Sequence, residues 1–177
     1  MRATTLLLGL GCLAAARGCD SGGDPSGPSE NSLVFQRADG SRIQFSGDPL
    51  VWCGPWEEGS VPARTLHVLG GDFRAGGPVW QLNVVVADAK PGQPLAFPNT
   101  FVWDQPKGAQ LFILDEPNEA STQEGESSGS ITFSELDCEG DVRFTVDATV
   151  GSEFGDGPPV RVTGGFAAPV GDAPRFQ

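Results

Sequence analysis

From Leu33 onward, apolar and polar residues alternate with a period of two, and the 3.6-residue period of an amphipathic helix is almost absent. The last third shows this most plainly. In "VRFTVDATV", Val142, Phe144, Val146, Ala148 and Val150 point one way, and Arg143, Thr145, Asp147 and Thr149 point the other. That is the pattern of an antiparallel strand with one face buried and one face wet. "SITFSELDC" (130–138) precedes it across "EGD", and "PVRVTGGFAAPV" (159–170) follows. Upstream, two alternating runs in Leu33–Ser46 flank Asp39-Gly40, a dipeptide that supplies the positive φ of a tight hairpin turn. Further strands are predicted over 49–53, 64–69, 80–88, 100–103 and 109–115. Nine or ten strands separated by Gly/Pro turns predict an all-β domain over 33–177, an antiparallel β-sandwich or alternatively a closed β-barrel. The wide sequence spacing of Cys53 and Cys138 favours the sandwich, because such a pair suits a pin between sheets or strands.

The first 32 residues read differently. Arg2 precedes a 13-residue apolar run, Thr4–Ala16, too short for a permanent bilayer span and suited to an export signal. The run ends in "ARGC", where small residues precede Cys19. "DSGGDPSGPSENS" (20–32) holds no large apolar side chain and behaves as a flexible tether that recovers none of its ordering entropy. A lipobox-like signal followed by such a tether resembles bacterial lipoproteins. The resemblance implies a signal peptide over 1–18, acylation of Cys19 as the mature N-terminus, and attachment to the cell envelope by a tether over 19–32. Cys12 is the alternative acylation site, although more apolar chain follows it. The run "GSITFSELDCEGDVRFTV…VRVTGGF" resembles the terminal strands of uncharacterised bacterial lipoprotein domains, which implies a β-domain and transfers no functional residue.

Export changes the meaning of the cysteines. Of four, Cys12 leaves with the signal and Cys19 takes lipid, so Cys53 and Cys138 remain to pair in an oxidising compartment. The formal charge of −12 becomes −14 once Arg2 and Arg17 are removed with the signal. Such a chain repels phosphate backbones, which argues against nucleic-acid binding, and its charge keeps an exported protein soluble.

Candidate chemistry is sparse. "WCGP" (52–55) matches the start of the thioredoxin motif, but Trp56 replaces the second Cys, and Gly59 and Pro62 occupy the place of the required helix. "GESSG" (125–129) matches a nucleophile elbow, yet a strand follows it where a helix should, and the chain's single His, His67, lies upstream. His67 alternates away from Leu66 and Val68 and is expected to be a solvated or sheet-surface His. The loop 115–129 carries Asp115, Glu116, Asn118, Glu119, Glu124 and Glu126, hard oxygens that suit Ca²⁺, without the spacing of an EF-hand. Trp56 and Trp103 are candidate ligand contacts beside Trp52 and Trp80, of which Trp80 sits in an apolar row and is expected in the core. No catalytic constellation is nominated. The expected function is an exported, lipid-anchored, non-catalytic binding or interaction module for a protein or glycan ligand. A glycan-active enzyme and a Ca²⁺-stabilised adhesion domain are the alternatives.

Overall fold

Two short strands, β1 (Ser32–Gln36) and β2 (Arg42–Ser46), form the hairpin that Asp39-Gly40 predicts. Gly40 has φ 84°; its N–H donates to the Arg37 carbonyl at 3.0 Å, and the Arg37 N–H donates to the Ser41 carbonyl at 2.9 Å. One extra residue is thus absorbed by a glycine in the left-handed region, which sets the register of the hairpin. The computed structural model describes residues 31–55, 64–71, 77–99, 107–115, 120–122, 126–152 and 157–174.

The remaining strands are β3 (Leu50–Pro55), β4 (Arg64–Gly71), β5 (Val79–Val85), β6 (Pro94–Phe97), β7 (Ala109–Leu114), β8 (Ala120–Ser121), β9 (Ser128–Leu136), β10 (Asp141–Ser152) and β11 (Val160–Pro169). All pair antiparallel into one sheet of order β2-β1-β11-β10-β8-β7-β5-β4-β3, with β9 and β6 branching from β10. The architecture is the all-β one that the alternation implies, its sheet curled into a half-barrel. The long β10 makes the branch. Over Val142–Thr149 its edge pairs with β9, and at Gly151 and Ser152 the same edge passes to β8. Strands β6 and β8 are too short for alternation to mark them. The strand expected over 100–103 lies outside the described residues.

The concave face is the core. Val142, Phe144, Val146, Ala148 and Val150 are all buried, as are Leu66, Val68, Trp80, Leu82, Val84, Leu111 and Ile113 from the other half of the sheet. Each such large side chain contributes about 1.5–3 kcal/mol of transfer free energy. An aromatic row crosses this core. Phe133, Phe144 and Phe166 are register partners on β9, β10 and β11, and Phe166 stacks on Trp80 of β5 with ring centroids 5.4 Å apart. Two residues before Phe166, Gly164 lets β1 approach β11 closely. It has φ 130°, and a Cβ there would meet the Ser32 carbonyl of β1.

Two long-range links close the curl. Cys53 of β3 is bonded to Cys138 in the β9–β10 turn, the pairing expected from cysteine usage, with Cα atoms 5.7 Å apart. Arg37 in the β1–β2 turn pairs with Asp115 at the end of β7, its Nε donating to Oδ2 at 2.7 Å. The outer edge of β3 is covered as well. Trp52 bridges in parallel to Gly171, whose N–H donates to the Val51 carbonyl at 2.8 Å.

Candidate functional site

The main path of the sheet ends on β2 and β3, with β6 ending the branch through β9, and the half-barrel stays open between β2 and β3. The chain segment past β11 covers β3, whereas among the described residues β2 pairs only with β1. A cleft of about 340 Å³ occupies the seam, near the lower end of the roughly 300–1,000 Å³ typical of small-molecule sites.

Three parts of the chain build it. Strand β2 supplies Ile43 and Phe45 from its inward face and Gln44 and Ser46 from its outward face. The link Gly47-Asp48-Pro49 forms one end, and the β4–β5 end supplies Gly70, Gly71 and Pro78. Trp80 and Phe166 reach the cleft from the core and make it continuous with the aromatic row. The result is an apolar interior with an amide, a hydroxyl and a carboxylate on its polar side, the composition that lets a site hold a ligand and also orient it.

Trp80 is the distinctive residue. It is buried, and its indole Nε1–H has no hydrogen-bond partner among the described residues. A buried donor left without an acceptor costs about 1–3 kcal/mol. Its ring lies over its cross-strand partner Gly70, where a Cβ would fall 2.5 Å from the ring. Glycine at 70 therefore admits the indole. The alternating pattern marks Trp80 as core, as found. It gives no sign that Trp80 also borders a cleft, because the other lining residues come from strands far apart in sequence.

The convex face of β3, β4, β5 and β7 carries a second feature. Trp52, His67, Asn83 and Gln110 are register partners and form a row across four strands. His67 is 4% exposed, which corrects the expectation of a solvated His. The period-two rule placed it correctly on the outer face, but that face is buried here. Trp52 stacks on the imidazole at 4.9 Å. His67 Nδ1 lies 3.0 Å from Asn83 Oδ1, which also accepts from Gln81 Nε2, while Asn83 Nδ2 donates to Gln110 Oε1 at 3.4 Å. The amide oxygen can only accept, so this contact is a hydrogen bond when Nδ1 carries a proton. Burial pushes the His67 pKa below its ordinary value, outweighing the hydrogen bonds to Asn83 and to the Pro55 carbonyl, which favour the charged form.

The residues singled out from sequence fall in several places. Asp115 is buried and its carboxylate is engaged by Arg37, so it is not an open cation ligand. Glu126 is exposed, and Glu116, Asn118, Glu119 and Glu124 lie outside the described residues. Among the described residues no three His, Cys, Asp or Glu side chains converge as a metal site. Ser127, at the nucleophile position of "GESSG", is a structural cross-link. Its hydroxyl donates to the Ser121 carbonyl at 3.0 Å and accepts from the Gly151 N–H at 2.9 Å, tying the segment before β9 to β8 and β10. Cys53 is half of the disulfide rather than a free thiol. Trp56, Trp103, Cys12 and Cys19 lie outside the described residues. No protein-family model, curated protein or solved structure matches this chain.

Proposed function

We propose that this protein is an exported, lipid-anchored, non-catalytic binding module of a bacterial envelope, and that the seam cleft is its ligand site. The anchor reading rests on the signal-like run, Cys19 and the Gly/Ser/Pro tether of 19–32. The observation that carries the binding reading is the cleft: an aromatic interior of Trp80, Phe166 and Phe45 beside Gln44, Ser46 and Asp48, at the open side of the sheet. Its interior belongs to the core row, and its mouth is set by the glycine-rich β4–β5 end, so the site is held by the scaffold. The indole N–H of Trp80, without a partner among the described residues, is a donor that an incoming acceptor would satisfy. A screen of the full chain against glycan, ester and peptide substrates is expected to show no robust turnover. Robust hydrolysis, abolished by replacing one carboxylate, would overturn the non-catalytic reading.

A further inference from the structure

We propose that the outer edge of β2, which no described strand covers, binds an extended basic peptide as an added strand, with one apolar side chain of that peptide entering the cleft. The inference rests on the reading of the chain as a binding module and names the class of its partner.

The backbone geometry leads to it. Arg37 and Ser41 form a hydrogen-bonded pair at the base of the β1–β2 turn. In an antiparallel ladder, hydrogen-bonded and non-bonded pairs alternate. The registered pairs Phe35–Ile43 and Leu33–Phe45 are then the bonded ones. The peptide groups of Arg42, Gln44 and Ser46 accordingly point away from β1, along the sheet and toward the seam. A terminal strand with such a row of outward N–H and C=O groups is a template for another extended chain.

The cleft lies where that chain would run. Consecutive residues of β2, whose side chains alternate between the two faces, line it, so it lies along the strand's edge. Successive side chains of an added strand point alternately to the two sheet faces. One set projects onto Phe45, Trp80 and Phe166, and the other projects toward the side of Gln44 and Ser46. Gly47, beside the path, has open space around its Cα. The opposite edge of the sheet already shows this mode of pairing: β3 takes the chain's own segment at Gly171.

Charge selects the sign of the partner. Among the described residues Asp48 is the only ionisable one lining the cleft, and the chain as a whole carries −12. That field raises the encounter rate of cationic segments, and a Lys or Arg near the 47–49 link meets the Asp48 carboxylate. The occupant is thus a segment of another protein that is extended, cationic, and apolar at alternate positions.

The test pans the full chain, held in detergent, against a displayed library of random 12-residue peptides. Enriched sequences are expected to carry Lys or Arg and an alternating aromatic or aliphatic residue, and to slow amide exchange at Gln44 and Ser46. Gln44→Pro removes an outward N–H at an edge position that tolerates proline and is expected to weaken binding at least tenfold. Gln44→Thr alters the side chain but keeps the N–H, and is expected to bind at least fivefold more tightly than Gln44→Pro. Backbone N-methylation of the enriched peptide leaves the protein untouched and is expected to weaken binding as strongly as Gln44→Pro. Asp48→Lys is expected to shift selection away from basic peptides. Peptides indifferent to both Gln44→Pro and N-methylation would overturn strand addition. Concentration-dependent dimerisation that Gln44→Pro abolishes, with no peptide enriched, would assign the edge to a second copy of the chain and also overturn it. An empty selection alongside a soluble chito-oligosaccharide that perturbs the Trp80 indole signal would refute strand addition and leave the binding reading standing. If neither probe perturbs that signal, both readings fall.

Discussion

Replacing Gly70 by alanine tests whether the Trp80 indole is seated as described. Gly70 and Trp80 are cross-strand partners, and the added methyl would lie 2.5–2.6 Å from three atoms of the indole ring. A comfortable carbon–carbon contact is about 3.5–4.0 Å, so the ring must retreat by roughly 1 Å. It has little room, because Phe166 stacks on it and in turn packs on Phe144. Overpacking of this kind costs about 1–3 kcal/mol, and rigid neighbours on both sides place this site near the upper end. Alanine also restricts the unfolded chain, which returns about 0.4–1 kcal/mol. The net expectation is a loss of about 2 kcal/mol. With about 2.1 cal/mol/K of unfolding entropy per residue over a domain of roughly 145 residues, that loss lowers Tm by about 7 °C. Urea titration of the wild type and Gly70→Ala, followed by tryptophan fluorescence and near-UV circular dichroism, measures both the loss and the displacement of the indole. A variant within about 0.5 kcal/mol of the wild type with an unchanged near-UV spectrum would refute this placement of Trp80.

Three further outcomes are expected. Replacing Cys53 and Cys138 by alanine opens a link across 85 positions, for which the chain-entropy relation predicts a loss of about 4–5 kcal/mol; a shift under 1 kcal/mol in denaturant midpoint analysis would contradict the pin. His67 is the single His and its folded pKa lies below the unfolded value, so wild-type stability falls as pH drops from about 6.5 through the folded pKa and levels off below it, at no more than about 1.4 kcal/mol per pH unit. His67→Gln abolishes that component, and an imidazole resonance titrating at or above the ordinary value would refute the burial argument. Cys19→Ser is expected to abolish metabolic labelling with a fatty-acid analogue, and unchanged labelling would overturn the anchor assignment.

Much of the β-structure is legible in the chain because it depends on local rules. Alternation assigns a side to each residue of β10, and Asp39-Gly40 specifies its turn through the φ that only a few residues tolerate. Cysteine usage finds the pair Cys53 and Cys138 because oxidation acts on whichever thiols remain. Sidedness, however, is not burial. His67 was placed on the correct face and expected in water, whereas Trp52, Asn83 and the surrounding chain remove it from solvent. Of the oxygen-rich set in loop 115–129, Asp115 is engaged by Arg37 from a turn 78 positions away, a pairing that no local pattern reveals.

The amino-acid sequence by itself thus determined the all-β class and the longer strands, the first hairpin, the disulfide partners and the inward face of each long strand. Those properties follow from residue periodicity, backbone conformational limits and thiol chemistry. Only the tertiary structure decided which strands end the sheet, which edge the chain covers with its own segment at Gly171, and which edge it leaves open beside Trp80. The reason is physical: the curl that brings Phe45, Gly70, Trp80 and Phe166 around one cleft is a sum over strand pairings, and no short stretch of the chain contains it.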